Sequence, residues 1–327
     1  MTSIREVDPE RDAEGLTALE REVHPTAVIS PASWLHRELT IPPRAQLRAW
    51  VAEDGGKIVG EGYALLTFFS QSSETALVGV TVTASHRRQG LGAQLYELAA
   101  DHAAAIGATK QLAKFHENDA GVAFAHARGF DEVRAEAESA VDPRTIADRP
   151  PGDVDLRPVA DVDPKVVWAI DLDATLDMPS TEPIEDIPYD EWEEHVLQHP
   201  LFTPHGSFVA HVDGVPAAVS LIIADRESGR ATSMFTGTLA AYRGRGLARA
   251  VKLASIEWLV ANGITQLVTT NDETNAPMLA VNRRLGYRPA GRRVDYLRPA
   301  ATTSASASVA SVAAPSASPV APPSQAR

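Results

Sequence analysis

The residues best suited to chemistry in this chain lie in two short basic, glycine-rich turns. The first reads His86-Arg87-Arg88-Gln89-Gly90-Leu91-Gly92, the second Tyr242-Arg243-Gly244-Arg245-Gly246-Leu247-Ala248. Each follows a strand-like run (residues 76–82 and 233–239) and opens an Ala/Leu-rich run with helical spacing. A strand, an Arg/Gly turn and a helix N-terminus together present several backbone N–H groups to one anion. Glycine lets the backbone come close to that anion, and arginine adds planar charged donors. Two such turns point to two diphosphate-binding modules.

The elements that must position the turns also occur twice. Ile4-Arg5-Glu6-Val7, followed by a helical pattern, is matched by Leu156-Arg157-Pro158-Val159 and another helix; Gly129-Phe130 is matched by Gly286-Tyr287. With the basic turns, these landmarks recur in one order at nearly one long offset, which signals duplication of a domain. Residues 47–53 and 57–68 read as strands around Asp54-Gly55-Gly56, and residues 207–212 and 215–224 as the same hairpin around Asp213-Gly214. Each half continues with the long strand, the basic turn, a helix, a further strand (residues 111–115 or 266–270), a short helix ending at Gly129 or Gly286, and a closing hairpin. The expected fold is α+β (mixed α/β), two tandem units, each a mixed central sheet flanked by helices on both faces. The first unit spans residues 1–142 and the second 154–299. Residues 143–153, with Pro143, Pro150, Pro151 and Gly152, form the linker, and residues 300–327 an Ala/Ser/Pro tail expected to be disordered.

Composition narrows the class. The 327 residues are 44% hydrophobic and 22% charged, enough for a substantial core in two ordinary domains. A formal net charge of −13 argues against a nucleic-acid or membrane-surface binder. Without cysteine there is no disulfide, thiol nucleophile or thiolate metal site. The first residues lack the apolar core of a signal peptide, and no apolar run approaches the roughly 20 residues that span a bilayer. A cytoplasmic monomer or homodimer is expected.

Both turns fit an Arg/Gln-x-x-Gly-x-Gly/Ala pattern: Arg87-Arg88-Gln89-Gly90-Leu91-Gly92 and Arg243-Gly244-Arg245-Gly246-Leu247-Ala248. Downstream comes an Asn, then a helix ending in Gly-Phe or Gly-Tyr: Asn118…Phe124…Gly129-Phe130 and Asn275-Ala276-Pro277-Met278-Leu279-Ala280-Val281-Asn282…Gly286-Tyr287. Over residues 3–298 this order resembles the GNAT N-acetyltransferase superfamily, and the duplication resembles its tandem members. The resemblance implies acetyl-CoA as acyl donor, no metal, and a strand that splays from its parallel neighbour so that the pantetheine arm pairs near Val80 and Val82 or near Thr236 and Thr238. It implies coenzyme contacts from the two turns, Asn118 and Asn275, and a catalytic set of Asn275, Asn282 and the Thr238 backbone. The position where many members carry a proton-donating Tyr holds Ala125 and Asn282. The donor then comes from elsewhere, or the thiolate leaves unaided, its pKa lying near 8.5. The segment from Asn275 to Asn282 is not the pattern of the mycothiol-pathway tandem members.

Other groups carry weaker signals. Asn275 reads equally as a helix N-cap. Tyr242 reads as a packed aromatic, and His116-Glu117 is the base-like pair near the first turn. His195 and His199 lack the adjacent Glu of a zinc-protease helix and read as core or surface histidines. Between Lys165 and Arg226 the chain has no lysine or arginine but many acidic residues, among them Asp171, Asp177 and Glu182. With Tyr189 and Trp192 as flat surfaces, Asp177 and Glu182 form an acidic wall for a cationic amine, or else a solvated helix face. The expected function is acetyl-CoA-dependent N-acetylation of a primary amine on a small cationic acceptor, by direct attack in a ternary complex, with the second half as the working site. Two alternatives stand: a non-catalytic acyl-CoA-binding sensor or interaction module, and an enzyme whose N-terminal half is purely structural.

Overall fold

A computed structural model describes residues 2–68, 74–176, 181 and 187–299. The first half runs β1 (Ser3–Glu6), α1 (Pro9–Val23), α2 (Pro31–Thr40), β2 (Arg48–Asp54), β3 (Lys57–Leu66), β4 (Thr75–Val82), α3 (Leu91–Ala105), β5 (Lys110–His116), α4 (Asp119–His126) and β6 (Asp131–Val141). The second runs β7 (Asp155–Pro158), α5 (Pro164–Leu176), α6 (Tyr189–Trp192), β8 (Phe208–Val212), β9 (Val215–Asp225), β10 (Arg230–Thr238), α7 (Leu247–Ala261), β11 (Gln266–Asp272), α8 (Ala276–Arg284) and β12 (Arg288–Pro299). The fold is therefore the expected mixed α/β arrangement. The tail expected over residues 300–327 lies outside the described residues.

All twelve strands form one sheet in the order β1-β2-β3-β4-β5-β12-β6-β11-β10-β9-β8-β7. The expectation that each half closes with its own hairpin is corrected here. Each half ends in a single long strand, and the two strands change places: β12 pairs with β5 and β6 pairs with β11, while β6 and β12 pair with each other. Charge fastens the exchange. Arg134 on β6 reaches Asp272 on β11 at 2.8 Å, and Asp295 on β12 lies 3.3 Å from Lys114 on β5.

Helices cover both faces of the sheet. On one face, α1 and α2 bury Leu16, Leu19 and Trp34 against Val51 and Ile58. Helix α2 starts on a capping box in which Ser30 and Ser33 each satisfy the other's backbone N–H. On the other face, α3 packs Leu91, Leu95 and Ala99 on the sheet. It comes so close that a Cβ at Gly62 would lie 3.0 Å from the Leu95 Cβ. Among the described residues no helix is long and apolar enough to cross a membrane.

Candidate active site

Each half opens a fork in the sheet beside its basic turn. Strand β4 pairs in parallel with β5 only from Thr75 to Leu77, so its remaining residues to Val82 have no partner on that side. Strand β10 pairs with β11 only from Arg230 to Thr232. Beyond that vertex β10 carries a bulge between Ser233 and Phe235 in its pairing with β9; β4 pairs with β3 without interruption. Val80 and Val82 lie on the unpaired part of β4, Thr236 and Thr238 on that of β10.

The turns at the fork mouths have matching geometry. Arg87 Nε donates to the Val82 carbonyl at 2.9 Å, and Arg243 Nε to the Thr238 carbonyl at 3.1 Å. The first arginine of each turn thus ties the loop to the end of the preceding strand. Gly90 and Gly246 stand at the helix N-caps in the left-handed region (φ 84° and 78°), and neither α3 nor α7 has a side-chain cap there. Uncapped amides at a helix N-terminus suit an anion. Gly244 is also left-handed (φ 77°), whereas the first turn places Arg88 in that conformation (φ 62°). Arg245 lies over the Tyr242 ring at 5.2 Å, and Gln89 donates to the Ser85 carbonyl at 3.0 Å. Leu91 and Leu247 anchor the helices in the core, and Gly92 and Ala248 follow them.

The two forks differ in what lines each face. On the face covered by α1 and α2, the first fork is polar. Glu61 and Tyr63 on β3 lie opposite Thr81 and Gly79 of β4. The Tyr63 ring lies directly on Gly79, where a Cβ would come within 2.3 Å of the ring and 2.7 Å of the hydroxyl. Desolvation pushes the Glu61 carboxyl up to about 8, with Glu38 and Glu20 adding to the rise and Arg37 opposing it. Burial, then Glu61, pushes the Tyr63 phenol up to about 12. Arg37 on α2 sits 3.5 Å from Glu20 and 3.7 Å from Glu38. Glu20, His36, Arg37, His195 and His199 line an adjoining cavity of about 200 Å³ between the halves. His116, at the end of β5 across the fork, stacks on His24 with ring centroids 4.4 Å apart, and its Nδ1 lies 3.6 Å from Glu138. Burial lowers both imidazoles, His24 to about 4, so both are neutral at pH 7. Substituting alanine for Gly79 should displace Tyr63: amine acetylation is expected to fall roughly tenfold or more with acetyl-CoA affinity retained, measured by steady-state kinetics beside calorimetry.

On the same face the second fork is filled. The residues of β9 and β10 that stand where Glu61, Tyr63 and Gly79 stand are Val219, Leu221 and Phe235. They pack with Val167, Ile170, Trp192 and Val196. A Cβ at Gly237 would lie 2.6 Å from the Ala174 Cβ.

Several candidates from the sequence find different surroundings. Trp192 offers no flat surface: it is 4% exposed, and its indole N–H donates to Asp171 at 2.6 Å. Asp171 is itself buried, and burial pushes its carboxyl up to about 6. Tyr189 is half-buried, donates its hydroxyl to Glu193 at 2.6 Å and meets the Trp168 ring edge-on. Two residues of the acidic stretch join the halves: Glu191 pairs with Arg44 at 2.7 Å and Asp225 with Arg21 at 3.3 Å. Asp177 and Glu182 lie outside the described residues. His116 and Glu117 do not act as a pair, because Glu117 is taken by Arg292 at 2.8 Å. Asn118 and Asn275 cap α4 and α8, accepting from the Gly121 and Met278 amides. Asn282 is 2% exposed and donates to Asn271 at 2.6 Å. Val80 and Val82 pack toward Phe124 on the α3 side of the first fork. No group of three or more His, Asp or Glu among the described residues is arranged to hold a metal.

Comparison with known proteins agrees with this geometry. The model of the Acetyltransferase (GNAT) family matches residues 14–130 and again 169–287. A mycothiol acetyltransferase of Parafrankia sp. (strain EAN1pec) is 26% identical over 279 residues, covering 76% of this chain and 83% of that protein. Among solved structures, a tandem GNAT protein from the clavulanic acid biosynthesis pathway superposes with a TM-score of 0.70 at 20% identity, over 92% of this chain and 99% of that one. A GCN5-related N-acetyltransferase from Sphaerobacter thermophilus gives 0.67 at 17% identity, over 91% and 95%.

Proposed function

Since the chain belongs to the Acetyltransferase (GNAT) family and is an N-acetyltransferase, we propose that it transfers an acetyl group at its N-terminal fork, from acetyl-CoA to the primary amine of a small cationic acceptor. The observation that carries this reading is the pair Glu61 and Tyr63, set over the unpaired part of β4 on the face opposite the coenzyme turn.

The amides and arginines of residues 87–92 suit the diphosphate, and the free edge of β4 at Val80 and Val82 suits the pantetheine arm and the thioester carbonyl. Glu20 and Glu38 lie beside one guanidinium, and Glu61 adds a negative charge once it ionises, giving the recess a negative character that draws an ammonium. The nucleophile must lose a proton, and a carboxyl raised to about 8 is well matched to take it near neutral pH. Tyr63 keeps its proton throughout that range and can donate it to the departing thiolate, the role left vacant at Ala125. With both substrates held at one fork, attack is direct, in a ternary complex.

The second half remains the alternative site, through Thr238, Asn275 and Asn282; the apolar packing of Val219, Leu221 and Phe235 disfavours it. Calorimetric titration of acetyl-CoA, paired with an amine-acetylation assay, tests the choice. Arg87→Ala with Gly90→Ala should abolish turnover, and Arg243→Ala with Gly246→Ala should remove only a second binding event. Turnover lost solely in the second variant would move the chemistry to the C-terminal half. Binding without turnover of any amine would favour a sensor module.

A further inference from the structure

The α7 side of the C-terminal fork has a different character from its counterpart in the first half. Lys252 on α7 is 3% exposed. Among the described residues it has no carboxylate partner; its contacts are the Ser233 hydroxyl at 3.4 Å and the Tyr287 ring, whose centroid lies 5.6 Å away. Ser233 is the first residue of β10 beyond the last one paired with β11, so the ammonium sits at the closed end of the fork. The Tyr287 hydroxyl and the Oδ1 of Asn282, whose backbone carbonyl accepts the Tyr287 amide, are also buried without a partner among the described residues. Burial lowers the ammonium to about 8, which leaves it mostly charged at neutral pH. Among the described residues the first half has no such set. Its α3 buries Tyr96 instead, whose hydroxyl is satisfied by Gln111 at 2.9 Å, and its fork is lined by Val80, Val82 and Phe124.

An unpaired buried cation is unfavourable unless a bound group supplies the opposite charge. We propose that the C-terminal fork binds a CoA thioester whose acyl chain ends in a carboxylate, and that Lys252 recognises that carboxylate. The inference rests on reading residues 243–248 as a diphosphate turn. A coenzyme arm entering there runs along Thr238 and Thr236 toward the vertex. Whatever lies beyond its thioester carbon then meets Ser233, which is 3.3 Å from the Thr236 hydroxyl, and next Lys252. An acetyl methyl leaves the ammonium unanswered. A succinyl-length chain brings a carboxylate to it, with the Tyr287 hydroxyl as a further donor. The α3 side of the first fork is apolar and suits an uncharged acetyl group, so the halves sort donors by acyl charge.

Titration of CoA, acetyl-CoA and succinyl-CoA into the full chain carrying Arg87→Ala and Gly90→Ala isolates the second fork. Succinyl-CoA is expected to bind about tenfold or more tightly than acetyl-CoA, as a hydrogen-bonded charge pair would give. Adding Lys252→Met should bring the ratio to about one, and Lys252→Arg should keep part of it. Equal affinities, or a preference that survives Lys252→Met, would overturn the proposal. Absence of binding by all three, CoA included, would instead overturn the coenzyme reading of residues 243–248. Melting curves guard the comparison: methionine replaces an unpaired buried ammonium with an apolar chain of similar length, so Lys252→Met should melt at or above wild type. If it does not fold, Lys252→Gln serves for the same ratio.

Discussion

Glu61→Gln is expected to lower kcat/KM for amine acetylation by roughly a hundredfold or more at pH 7, because general-base catalysis commonly contributes at least that much. The wild-type rate should climb as pH rises through about 8, where the carboxyl gives up its proton, and that limb should vanish in the variant. Stability gives an independent readout with the opposite trend. The folded chain holds the Glu61 proton to about 8 against an ordinary 4.5, so the stability this adds is complete below 4.5 and disappears as pH rises toward 8. Glutamine cannot ionise, so the variant should lose less stability than wild type over that interval, seen as a smaller fall in Tm between pH 5 and 9. An unchanged kcat/KM in Glu61→Gln would remove it as the base and leave His116 as the next candidate on the same face of the fork.

Removing β12 is expected to abolish folding of the whole chain, including the half that does not encode it. A chain ending at Gly286 strips the β5 edge from Lys110 to His116 and frees one side of β6. It also leaves Lys114 and Arg134 without Asp295, and takes Val294 and Tyr296 from the core beneath α3 and α4. Exposed strand edges and an opened core of this size favour aggregation over a folded half. Residues 1–142 alone should fail in the same way. The two halves expressed together should recover a soluble complex, measured by size-exclusion chromatography and the return of a cooperative thermal transition. A folded, monomeric first half would show that β6 can close its own sheet.

The parts of this molecule legible in sequence are those set by local chemistry. The basic turns, the duplicated order of elements and the hairpins at Asp54-Gly55-Gly56 and Asp213-Gly214 depend on short runs with strong backbone preferences. Which strand pairs with which is not local, so the exchange of β6 and β12 is invisible there. Glu61 and Tyr63 escape notice because alternation along β3 reads as one dry and one wet face, when the wet face lies beneath α1 and α2. One signal is available: a carboxylate two positions from a tyrosine in an otherwise apolar strand. Charge density misleads in the second half, where acidic residues join the halves at Arg44 and Arg21, and where Trp192 and Asp171 satisfy each other in the core. Lys252 stands in an Ala/Leu-rich helix, where nothing in the spacing sets it apart from a solvated lysine.

The exchange of terminal strands also sets a schedule. As the chain leaves the ribosome, residues 1–142 emerge with every element of the first half except the strand that belongs beside β5. That strand, with Pro299 opposite Lys110, is synthesised last of the described residues. For the intervening period the nascent first half carries an open edge at β5, and β6 waits for β11. Completion of both halves is thus a single late event, in which a strand made after both of its neighbours is inserted between them.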